Sequence, residues 1–150
     1  MTIPRNLSKL AVGADTSGVL GVSYGGTGVT TSTGTTTLVL GTTPTITALR
    51  EVKTAISASA IDLATGNYFS KTITTTTTFT VSNTPSTGTA ASFILDLTNG
   101  GAATVNWWSG VKWAGGTAPT LTASGRDVLG FFTYDGGTTW SGFALGLDVK

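Results

Sequence analysis

A chain of 150 residues with a net charge of +1, no cysteine and no histidine is one domain's length, or a small domain with an appendage. Without cysteine there are neither disulfides nor thiolate metal sites, and without histidine no Ser/His/Asp or Cys/His catalytic set can form. The basic residues are scattered, which gives nucleic acid no phosphate-binding face, and no run approaches the roughly 18 apolar residues of a membrane span.

Only 10% of residues are charged, where about 25% is usual, while threonine makes up about a fifth of the chain and glycine about twice its ordinary share. Threonine loses χ1 freedom in a helix and glycine loses backbone entropy, so this composition predicts an all-β protein. The low charge argues against ordinary disorder. The N-terminus, MTIPRNLSKLAVG, lacks the apolar core of a secretion signal, which predicts a product made in a cytoplasm and soluble there.

Residues 1–47 carry one aromatic, Tyr24, and many glycines, with a single plausible strand at Thr36–Leu40 ended by Gly41 and Pro44. A segment so poor in side-chain volume either stays flexible or is ordered on another protein surface, copies of itself included. Leu20, Val22, Leu38, Val39 and Leu40 favour the second reading. Residues 48–53 are the one helix-like spot, with Leu49, Val52 and Ile56 at i, i+3 and i+7. The continuation to Leu63 alternates small and apolar and reads as strand.

A-T-G-N-Y-F (64–69) is a turn leading into a strand, and Phe69, Ile73, Phe79 and Val81 share one parity across the threonine run 74–78. Pro85 and Gly88 make the next turn. In 91–98 the alternation places Phe93, Leu95 and Leu97 inward, Ser92 and Asp96 outward, and Ile94 on the outer face. After the N-G-G turn (99–101), Val105 and Trp107 point in, and Thr104, Asn106 and Trp108 point out. The strand 128–134 is apolar on both faces, as 140–149 nearly is, and D-G-G at Asp135–Gly137 joins them as a hairpin. Strands covered on both faces need two neighbouring layers. One is an opposing sheet; the other is most cheaply a neighbouring subunit, with Ile94, Leu129 and Phe131 as interface candidates.

The fold expected is a small antiparallel β-sandwich, jelly-roll-like, over 48–150, preceded by an extended Gly/Thr-rich segment over 1–47. All four tryptophans lie between Ala103 and Phe143, so the core belongs there. Trp108 and Trp113 flank a Ser-Gly turn with Lys112 between them. Either they form a platform for a sugar ring, or both plug the core or a subunit interface. G-G-T-G at 25–28 lacks the helix and lysine of a phosphate loop. The seven carboxylates are dispersed, with no flanking pair of the kind a glycosidase uses. No catalytic residue, metal site or cofactor is expected.

With these residues in hand, the chain resembles bacteriophage tail-fibre and related virion appendage proteins, cyanophage ones included. The segment G-G-T-G-V-T-T-S-T-G…L-V-L-G-T-T-P-T (25–45) looks like a Gly/Thr fibre connector. The block I-D-L-A-T-G-N-Y-F-S-K-T-I-T…T-T-F-T-V-S-N (61–83), continuing through V-K-W-A-G-G-T-A-P-T-L-T and the D-G-G-T-T-W hairpin to the end, looks like a fibre β domain. The resemblance implies a homotrimeric, non-enzymatic virion component that is held to other virion proteins by residues 1–47. Its β domains would meet host cell-surface polysaccharide, with no nucleic-acid partner and no membrane insertion. The brevity of the chain leaves a second role open: a capsid decoration or cement protein, or head fibre, with a purely structural task. A lectin-like module unrelated to viruses is the third.

Overall fold

The computed structural model describes residues 50–150. The readings made for residues 1–47, among them the strand at Thr36–Leu40, the G-G-T-G element and the attachment role, lie outside the described residues.

The described region is all-β. Its strands are β1 (Lys53–Ala55), β2 (Ala60–Asp62), β3 (Tyr68–Thr72), β4 (Thr77–Thr78), β5 (Thr80–Ser82), β6 (Ala91–Thr98), β7 (Val105–Asn106), β8 (Val111–Trp113), β9 (Arg126–Thr133) and β10 (Trp140–Gly146), with three single-turn 3-10 segments between them. Six strands form the main sheet in the order β1-β3-β6-β9-β10-β8, and two short ladders, β2-β5 and β4-β7, form the second layer. Both layers feed one core, in which Phe69, Phe93, Leu95, Leu97, Leu129, Phe131 and Trp140 of the main sheet meet Ile61 and Phe79 of the second layer and Ile73 between them.

The expected antiparallel sandwich needs correction in its pairing. Only β6-β9 and β9-β10 are antiparallel; β1-β3, β3-β6, β10-β8, β2-β5 and β4-β7 are all parallel. Parallel neighbours cannot be joined by a tight hairpin and need a crossover. Residues 56–67 cross from β1 to β3 and residues 73–90 from β3 to β6, and each crossing contributes its strands to the second layer. The chain therefore winds between layers, and successive rounds stack in parallel. The turn residues were legible; their use as corners of a winding was not.

Within 48–53, the described residues from Arg50 onward do not form the helix that the spacing suggests. Val52 is exposed and Lys53–Ala55 is already strand, since β1 gains a ladder with β3 that one helical turn in this position would forgo. The predicted strand beyond it is broken into β1 and β2 by a bend at 57–59. The shared parity of Phe69, Ile73 and Phe79 holds: all three are buried. The hairpin at Asp135–Gly137 is present, with positive φ at Gly136 and Gly137. Thr133 and Asp135 hold it: Thr133 Oγ1 accepts from Gly137 N at 2.9 Å, and Asp135 Oδ1 accepts from Thr139 N at 2.9 Å.

Asp96 was expected in solvent on the outer face. It lies on that face but is buried, because Arg126 and Tyr68 close over it. Arg126 grips the carboxylate in two-pronged fashion, Nε to Oδ1 at 2.9 Å and Nη2 to Oδ2 at 2.8 Å, while Tyr68 Oη donates to Oδ2 at 2.7 Å. The register makes the cluster possible: Tyr68 opposes Ile94, Ser70 opposes Asp96, and Arg126 opposes Thr98, so the three side chains come from adjacent strands on one face.

Candidate functional site

Two surfaces stand out, one on each side of the domain. The first is the outer face of the main sheet. Strand alternation sends Leu129 and Phe131 of β9 to the core, leaving Val128, Phe132 and Tyr134 on the other side. The reading of Leu129 and Phe131 as subunit-interface residues is corrected accordingly: they are 0% and 2% exposed within their own chain. Ile94, which opposes Gly130 across the β6-β9 ladder, is on the outer face as expected. Around it stand Phe132, Phe143 and Leu145, at 40%, 51% and 59% exposed, and Tyr134, just past the end of β9, is 62% exposed. Leu147 and Val149 extend the exposed apolar residues toward the C-terminus.

The register explains the shape of this face. Phe143 opposes Gly130, and the β10 ladder slips between Ala144 and Gly146, so Leu145 is the bulged residue. A Cβ on Gly130 would come within 3.1 Å of Leu145 Cδ1, so the missing side chain is what lets Leu145 lie across β9. The result is a groove of about 290 Å³ lined by Ile94, Gly130, Phe132, Phe143 and Leu145, with Glu51 and Asn67 also contributing. On the neighbouring strands the Asp96–Arg126–Tyr68 cluster interrupts the apolar character of this face. Burial pushes the Asp96 carboxyl up, but its hydrogen bonds from Arg126 and Tyr68 outweigh that and hold it below the usual carboxylate range. The same hydrogen bond to Asp96 raises the Tyr68 phenol.

The second surface is an aromatic cleft beside the second layer, about 470 Å³ in volume. Trp107 and Trp108 line it, with Phe79, Thr78, Thr80, Val81, Thr84, Ser109, Gly137 and the buried Trp140. Trp107 and Trp108 follow β7, so the strand parity used to place one inward and the other outward does not apply; both rings are half-buried and pack on the core. Trp107 stacks on Phe79 at 5.9 Å and 18°, and Trp108 sits 4.8 Å from Phe131. Among the described residues, Trp108 Nε1 is the buried side-chain polar atom without a hydrogen-bond partner. An unmet buried donor costs about 1–3 kcal/mol.

Trp108, Lys112 and Trp113 do not come together as one platform. Along β8, Val111 and Trp113 turn inward and Lys112 turns out. The Trp113 ring lies over the bare backbone of Gly142, where a Cβ would sit 2.6 Å from its Cζ3. Of the three residues, Trp108 alone lines the cleft. Sequence reasoning does not single out Phe143, Leu145 or Thr84; the near-continuous apolar run W-S-G-F-A-L-G-L is the available signal for the first two.

Among the described residues no group of three or more Asp and Glu side chains is placed to hold a metal ion, and no helix is long and apolar enough to cross a membrane. The described aspartates have structural partners. Asp62 accepts from Ala64 N and Asn83 Nδ2, Asp96 pairs with Arg126, Asp135 holds the hairpin, and Asp148 pairs with Lys150. Asp127, fully buried, accepts from Thr122 N and Thr122 Oγ1, both at 2.7 Å, and from Asp148 N at 3.0 Å. No family model, curated relative or solved structure matches the chain.

Proposed function

We propose that the chain is a non-enzymatic structural module of a phage virion appendage. In this reading it assembles as a homotrimer through the outer face of the main sheet, with residues 1–47 as the attachment segment and the β domain presented to the host surface. The observation that carries the assembly is the exposed cluster of Phe132, Phe143 and Leu145 around Ile94. Monomeric soluble proteins rarely leave contiguous apolar patches larger than a few hundred Å² in water. A standard interface removes about 800 Å² from each partner. At about 25 cal/mol per Å² that is roughly 20 kcal/mol of gross transfer, above the association cost of about 4–15 kcal/mol. Closed rotational symmetry hides such a face without leaving an open end.

The number three and the virion setting rest on the resemblance of the Gly/Thr connector and β block to fibre proteins. The structural occupation of the aspartates supports the non-enzymatic reading. The same face also suits a capsid decoration or cement protein, in which it would meet other capsid chains. Labelled antibody against the β domain, imaged on intact particles, separates these roles. Label on the tail is expected; label at capsid lattice points selects the decoration role, and absence from purified particles overturns both.

A further inference from the structure

The aromatic cleft is not used by the assembly face, and its chemistry is different. Every residue lining it is uncharged. Two half-buried indoles form part of its wall, with the hydroxyls of the exposed Thr78, Thr80, Thr84 and Ser109 around them. We propose that this cleft binds a neutral carbohydrate, the non-ionic hexose units of a surface polysaccharide; the host-surface setting, though not the site itself, rests on the appendage reading above.

A pyranose ring presents C–H groups on one face and hydroxyls at its edge. Indole surface suits the first, and hydroxyl side chains, which both donate and accept, suit the second. A purely apolar guest would displace water from the threonine and serine hydroxyls without replacing its hydrogen bonds. An acidic sugar would find no Lys or Arg to pair with. The volume falls within the roughly 300–1,000 Å³ of small-ligand sites, which are mostly apolar with a few placed polar groups. Trp108 supplies an independent sign: its Nε1 has no acceptor in the protein. A sugar seated against the Trp107 and Trp108 rings would change tryptophan emission, which then reports binding. Gly137 and Thr84 fix one side of the cleft, for a Cβ on Gly137 would meet Thr84 Cγ2 at 2.7 Å.

The test titrates the full-length assembled protein with maltoheptaose, cellohexaose, mannohexaose and a β-1,3-glucan hexamer, with polygalacturonate as the charged counterpart. Tryptophan fluorescence and calorimetry are read together. Saturable binding of at least one neutral oligosaccharide is expected at millimolar or lower concentration. Thr84→Arg, a rim change, should weaken it at least tenfold with the melting temperature unchanged, and Trp107→Phe, which keeps a ring against Phe79, should weaken it too. Failure of all four neutral sugars to bind, preference for the charged polymer, or binding indifferent to both variants would each overturn the site. Light scattering on the same samples keeps the two proposals apart. An intact oligomer that binds no sugar removes the cleft inference alone, and a monomer that binds sugar removes the assembly reading alone.

Discussion

Asp96 shows how one side chain couples the sheet to pH. Its folded pKa is held below the unfolded value of about 3.9, so the folded state binds its proton less readily than the unfolded chain does. The stability it contributes is present above pH 4 and drains away as pH falls through the lower, folded value. The Asp135 carboxyl, held low chiefly by the backbone N–H of Thr139, adds to the same trend. Tyr68 acts at the other end: its raised pKa contributes stability below about pH 10 that is lost as pH climbs through the folded value. Asp96→Asn should cost about 1–3 kcal/mol in urea denaturation at pH 7, and the loss should shrink toward pH 3; an equal loss at both pH values would contradict the assignment. Asp127→Ala should cost at least as much, about 2–3 kcal/mol, because it strands two backbone N–H groups and one hydroxyl, Thr122 N, Asp148 N and Thr122 Oγ1. Neither aspartate was legible from the sequence beyond its strand parity. Alternation gives the face of Asp96 correctly, but its burial depends on Arg126 and Tyr68 arriving from strands that are neighbours only in the folded sheet.

At the scale of the element, glycines in β9 and β10 show what backbone without side chains permits. Gly142 faces inward opposite Phe131, and Trp113 from the parallel edge strand β8 folds its ring across it. Gly142→Val should overpack this contact and cost about 1–3 kcal/mol, measured as a shift in the denaturation midpoint, with a matching change in near-ultraviolet circular dichroism from the tryptophans. An unchanged midpoint would mean that Trp113 repacks freely. Strands with a clean period-two pattern, β6 above all, could be read directly, as could the D-G-G hairpin, whose two glycines take positive φ. The pairings could not. Threonine and glycine make strands and corners without saying whether the next strand returns beside the last or crosses to the other layer, and here β3, β6 and their connectors cross. Trp108 was placed outward for a related reason: β7 ends at Asn106, and period two has no meaning past the end of a strand.

At the scale of the domain, the described residues cover one face of the main sheet and leave large apolar side chains exposed on the other. The inner face is closed by the β2-β5 and β4-β7 ladders; the outer face ends in Phe132, Tyr134, Phe143 and Leu145. The sequence showed that β9 was apolar on both sides, and hence that something must cover the second. It did not show which side was the core, and Leu129 and Phe131 were assigned to the wrong surface for that reason. The bulge that lays Leu145 over Gly130 is a property of the folded ladder and left no mark in the hydrophobic pattern. Light scattering on the native chain and on the double variant Phe143→Asp/Leu145→Asp at micromolar concentration tests the assembly most directly. Both positions are exposed, so the variant should remain folded by circular dichroism. The account predicts a native trimer and a folded monomeric variant; a native chain that is already monomeric, or a variant that stays trimeric, would contradict it.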